Sequence, residues 1–207
     1  MLGGNLRNEM IVKQIKQKGI LTKILEQGIK ILIIKECKKI RNLKIDIIST
    51  STQIIKGEIK KINISAEDIN YKDLFFDELQ LEADNLKINF KLINKELYFK
   101  DNPTIKFKIL LSQSSVRTAL LSDKWNWIGD KISNEILNLE KLIDIKIKDG
   151  QLLMKASKNN LSVNQLKRID IKTERGKIYL ENKDYNKIIQ IPIEDKIYIE
   201  NVNIKNN

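Results

Sequence analysis

The sequence predicts an α+β fold in which a long, curling antiparallel sheet is combined with an N-terminal helix and a short central helical pair. Three observations lead there. Apolar and charged residues alternate at period two through most of the chain after Leu43, the pattern of a sheet with one packed face and one wet face. One long stretch, Ile11 to Cys37, instead repeats at the helical period. The two longest alternating segments are each broken once, at Asp84-Asn85 and at Asp101 to Pro103, and interruptions side by side bend a sheet.

In chain order, residues 1–9 are expected to be flexible, and Ile11 to Cys37 reads as a helix about 40 Å long. Ile11, Ile15, Leu21, Leu25, Ile29, Leu32 and Ile33 fall within an arc of about 120°, the width of a core-facing stripe. A thinner stripe of Ile20, Ile24 and Ile31 lies opposite, beside Lys13 and Lys38. The helix either packs on a sheet and is half covered by a loop, or lies on a membrane. Cys37 reads as a small apolar residue at the helix end. Leu43, Ile45 and Ile47 form a strand, Ser49 to Thr52 a turn, and a second strand from Gln53 alternates through Ile59, Ile62 and Ile64, with Gly57 marking a bulge or a close approach. These two strands are expected to pair antiparallel.

The next strand changes parity between Ala83 and Leu86, so a bulge is expected at Asp84-Asn85. Leu97 and Phe99 begin the return strand, which Pro103 interrupts because it has no N–H for the ladder, and Ile105, Phe107, Ile109 and Leu111 resume it. Ser112 is suited to cap a helix carrying Val116, Ala119 and Leu120 on one face. Asp123 can open another, with Ile128, Ile132, Ile136 and Leu139 as its stripe. Strands follow at Leu142 to Lys148 and Gln151 to Ala156, joined by the hairpin dipeptide Asp149-Gly150, then at Gln165 to Lys172, Lys177 to Leu180 and Lys196 to Ile204. Glu181 to Gln190 reads as a polar loop, and Pro192 argues for an edge or loop around it.

Composition narrows function. The 207 residues, 42% hydrophobic and 31% charged, suit one folded domain, taken as 1–207. With no His and one Cys, the commonest general base, the commonest zinc ligand and any internal disulfide are excluded. Phosphate-binding Gly loops and the Gly-x-Ser-x-Gly elbow are missing, so the chain reads as a non-enzyme, with no cofactor called for. Neither a membrane-length apolar run nor a signal-peptide pattern occurs, which makes a cytoplasmic protein, free or peripheral at a membrane, the expectation. The net charge of +11 points to a polyanion, carried almost entirely by Lys. Nucleic-acid recognition favours Arg forks, so nucleic acid is the less favoured partner; genomic bias towards Lys, Ile and Asn would account for the charge equally well.

Leu97-Tyr-Phe-Lys-Asp-Asn-Pro-Thr104, with Leu111-Ser112 followed by Val116 and Ala119-Leu120, resembles the LmeA-like phospholipid-binding family of bacteria, formerly a domain of unknown function. Ile55 to Ile59 and Glu78 to Phe90 extend the resemblance. Arg117 stands where that family often has Asn, and Ser114-Ser115 replaces its acidic pair. The resemblance implies a curled sheet wrapped around helices, similar to tubular lipid-binding folds, with an apolar groove for phospholipid or a similar amphiphile. Ile88, Phe90, Phe107 and Ile109 are the expected groove lining, unless they only fill a core around the first helix. Trp125 and Trp127 serve either as further lining and interfacial anchors or as helix-end packing. A nucleic-acid-binding module and a structural scaffold at a membrane are the rival functions.

Overall fold

The computed structural model describes residues 19–91, 96–158, 161–162 and 166–204. The expectations for residues 1–9, Ile11 and Ile15 lie outside these. The chain is α+β and divides into two compact units, Met1–Lys72 with Phe76–Leu110, and Asp73–Phe75 with Leu111–Asn207.

In the first unit, helix α1 (Ile20–Glu36) precedes β1 (Lys39–Ile48), the short helix α2 (Ser51–Ile55), β2 (Glu58–Tyr71), β3 (Leu74–Lys91, of which all but the first two residues belong to this unit), β4 (Glu96–Phe99) and β5 (Ile105–Leu110). The sheet order is β1-β2-β3, with β4 and β5 both pairing on β3 along successive stretches. Leu25 and Ile29 of α1 bury themselves against Ile47, Ile59, Ile62, Ala83, Leu86 and Ile88. The α1 stripe is thus the core-facing one, although Leu21 at its start stays 37% exposed.

The alternation of β3 changes parity at Asp84-Asn85. Asn85 takes a left-handed φ of 53°, a conformation Asn tolerates better than most residues, and Ala83 and Leu86 on either side are both buried. Ala83 faces Ile105 whereas Ile88 faces Phe99, so the return strand holds one extra residue across the break containing Pro103. The β1–β2 pair shifts register as well, between Lys39 and Lys44, where Asn42 and Asp68 have positive φ. Gly57, also at positive φ, accepts a hydrogen bond from the Ile88 N–H at 2.7 Å, the close approach expected of it. A Cβ there would sit 2.3 Å from the Ile88 carbonyl oxygen.

The second unit contains α3 (Gln113–Leu120), α4 (Asn126–Leu137), β6 (Lys141–Lys148), β7 (Gln151–Lys158), β8 (Leu161–Ser162), β9 (Lys167–Glu174), β10 (Lys177–Asn182) and β11 (Lys187–Gln190). Its sheet runs β11-β10-β9-β7-β6, with β8 on β7, all antiparallel. Ile132, Ile136 and Leu137 of α4 pack on Leu142, Ile145, Leu152, Met154, Ile169 and Leu180, with Val116 and Leu120 of α3 beside them. Ser112 caps α3 through its hydroxyl, which accepts from the Ser115 N–H at 3.2 Å. Asp149 and Gly150 both take positive φ, as their two-residue hairpin requires.

Several expectations need correction. The strands form two antiparallel sheets instead of one, and neither closes into a barrel. Ser49 to Thr52 is no simple turn: Thr50 and Gln53 form a capping box that opens α2. α4 is preceded by Trp125, not capped by Asp123. Glu181 to Gln190 supplies the end of β10 and the whole of β11 around a short turn, because Leu180, Ile188 and Ile189 keep a strand's pairing through a polar stretch. Lys196 to Ile204 alternates but makes no ladder; Ile199 donates singly to the Gly176 carbonyl, and Tyr198 covers that glycine.

Candidate functional site

Pairing register assigns the faces of the first sheet. Ile105, Phe107 and Ile109 of β5 stand opposite Ala83, Leu81 and Leu79 of β3. Cross-strand partners share a face. Ala83 is packed with Leu25 and Ile29 of α1, so these three β5 residues look out on the face that carries the helix. The helix does not cover them. Ile105 is 37% exposed, Phe107 44% and Ile109 39%, and every residue of β5 is exposed. Tyr98 and Phe99 on β4 are exposed too. Among the described residues β5 pairs only with β3, leaving its outer edge open.

Lys106 and Lys108 alternate with this apolar row and project to the other face, opposite Glu82 and Gln80. Glu82 is engaged by Lys61 at 3.0 Å, and that hydrogen bond, with the Glu82 charge, holds the Lys61 ammonium above its ordinary pKa. Among the described residues neither Lys106 nor Lys108 has a carboxylate partner. An open concavity of about 560 Å³ runs across β1, β2, β3 and β5. Most of its lining, including Lys44, Asp46, Asn63, Ser65, Gln80, Glu82, Lys106 and Lys108, belongs by register to this charged face, while Ile64, Leu81 and Phe107 complete it. The edge strand β5 therefore offers apolar side chains on one side and, on the other, ammonium groups that no described carboxylate pairs.

The six residues proposed from sequence have different settings. Ile88 is 4% exposed and belongs to the core beneath α1. The Phe90 side chain lies outside the described residues. Phe107 and Ile109 are solvent-accessible neighbours on β5. Trp125 and Trp127 belong to the second unit, Trp125 half-buried at the start of α4 and Trp127, two residues on, 49% exposed. Sequence reasoning missed Ile105, Lys106 and Lys108 as site residues. Their alternation was visible; what it could not show was that α1 leaves this end of the sheet uncovered.

Arg117, unusual for the resembled family, has a local role. Its Nε donates to Asp144 Oδ1 at 2.6 Å, tying α3 to β6. That bond, aided by the Ile145 N–H, holds the Asp144 carboxyl below its ordinary pKa. Cys37 is half-buried, and desolvation together with the Glu36 charge pushes its thiol pKa up, so it is a poor nucleophile. Among the described residues no group of three or more His, Cys, Asp or Glu is placed to hold a metal ion. No described helix is long and apolar enough to cross a membrane.

No family model, curated protein or solved structure matches this chain.

Proposed function

We propose that the protein binds phospholipid or a similar amphiphile, without catalysing a reaction on it, along the open edge of β5. The acyl chain lies against Ile105, Phe107 and Ile109, and the anionic head group meets Lys106 and Lys108. The observation that carries this reading is an edge strand exposed on both faces, apolar on one and cationic on the other, with no ion-pair partner for its lysines among the described residues. Burial of each acyl methylene stabilises the complex by about 0.8 kcal/mol, so a handful of methylenes already yields useful affinity. Charge steers the anionic head group and is weakened by salt. The resemblance to a phospholipid-binding family points the same way.

Native mass spectrometry of protein purified without detergent, before and after addition of dihexanoyl phosphatidylglycerol below its micelle concentration, tests the reading. We expect a one-to-one adduct that Phe107→Glu removes and Lys106→Gln/Lys108→Gln weakens about tenfold. Absence of any adduct on the wild-type chain, with nucleic acid bound instead in a salt-sensitive gel shift, would sink it in favour of the basic nucleic-acid-binding reading.

A further inference from the structure

Helix α1 is apolar on two sides. Leu25 and Ile29 are buried in the core of the first unit. Opposite them, Ile20, Ile24, Ile31 and Ile34 are exposed by 77%, 47%, 48% and 46%. At 100° per residue these four fall within an arc of about 80°, centred roughly 180° from the buried pair. Burial in the chain's own core explains one stripe and, among the described residues, leaves the other without a partner.

The charges beside the exposed stripe all have one sign. Lys23 and Lys30 flank it on one side and Lys35 on the other. The acids of the helix are turned away: Glu26 lies toward the sheet, where its Oε1 accepts from the Ile47 N–H at 2.9 Å, and Glu36 lies on the core-facing arc by its position. We infer that this face of α1 docks on an anionic lipid bilayer, the four isoleucines entering the interface and the three lysines meeting the head groups. A short apolar arc edged by lysines on both sides is the arrangement that lies in a membrane plane. A second copy of the chain fits worse, since stripe-to-stripe contact would bring lysines against lysines with no carboxylate between them. This inference rests on the lipid-binding reading for its partner class, but it uses different residues.

The direction of the two surfaces supports it. Ile105, Phe107 and Ile109 look out on the sheet face that α1 lies upon, so the edge of β5 and the outer stripe of α1 are presented to the same side of the first unit.

Flotation of the full chain with vesicles of phosphatidylcholine containing 30% phosphatidylglycerol, compared with pure phosphatidylcholine, is the test. The wild type is expected to float with the anionic vesicles, to float at least tenfold less with neutral ones, and to lose most binding in high salt. Ile24→Gln/Ile31→Gln and, separately, Lys23→Glu/Lys30→Glu/Lys35→Glu should each reduce flotation at least tenfold while keeping the wild-type circular dichroism spectrum. Flotation unchanged in both folded variants overturns the proposal. So does a wild type that fails to float but forms a dimer in light scattering that Ile24→Gln/Ile31→Gln abolishes. The one-to-one dihexanoyl phosphatidylglycerol adduct separates the two readings: the α1 variants should retain it, and Phe107→Glu should lose it while still floating.

Discussion

The two units use the same materials, an antiparallel sheet and two helices, yet they finish their cores differently. In the second unit α4 lies over the sheet, and Ile136, Ile145, Met154 and Ile169 are shut off from solvent. In the first unit α1 covers Ile47, Ile62 and Ala83 but not β5. Of the large apolar side chains left exposed among the described residues, thirteen belong to the first unit and six to the second. Nine of those thirteen sit on α1 and β5, the two elements proposed above as interaction surfaces.

That contrast can be broken by mutation. The largest effect is expected for Ile145→Ala, which removes a wholly buried side chain and should cost about 2–5 kcal/mol in denaturant unfolding. Phe107→Ala should cost under about 1 kcal/mol in the same experiment, because its ring is already half in water; equal costs would mean that β5 is core and not site. Gly57→Ala should be intermediate, about 1–3 kcal/mol, since both its positive φ and the Ile88 carbonyl oppose a side chain. Its effect should fall on the first unit, read from hydrogen exchange of β2 and β3. The smallest change is expected at Arg117→Ala, within about 1 kcal/mol because the pair is partly exposed, and confined to the second unit. The Asp144 carboxyl is depressed in the folded state, so its stabilising effect is complete above the unfolded value of about 3.9 and fades as pH falls through the lower folded value. Wild type and Asp144→Asn should therefore converge in stability in acid and separate at neutral pH.

Much of the first unit could be read from residues alone. The parity change at Asp84-Asn85, the break at Pro103 and the close approach at Gly57 each follow from local stereochemistry, and each is present. The same holds for the Ser112 cap and the Asp149-Gly150 hairpin. Local chemistry fails where nonlocal pairing decides. Lys196 to Ile204 has a strand's alternation but no ladder, and Ile188 and Ile189 form a strand inside a stretch whose composition is that of a loop. The division of strands between two sheets was hidden for the same reason, because period two says which face a residue takes and not which sheet it joins. At the site, alternation placed Phe107 and Ile109 on one face together. Whether a helix then covers that face depends on where α1 crosses the sheet, a packing property that no residue pattern on β5 encodes.

The partial cover that α1 gives the sheet has a dynamic consequence. A helix stands about 10–12 Å thick, so Phe107 sits at the foot of a step whose tread is the Ile24 and Ile31 stripe. A bilayer resting on the tread would stop short of the foot by roughly that height. A lipid molecule would then have to rise partly out of its leaflet to reach β5, exposing methylenes at about 0.8 kcal/mol each on the way. Loading would be governed by the lipid's tail length more than by its abundance, and short-tailed or lyso species would exchange faster than long-tailed ones.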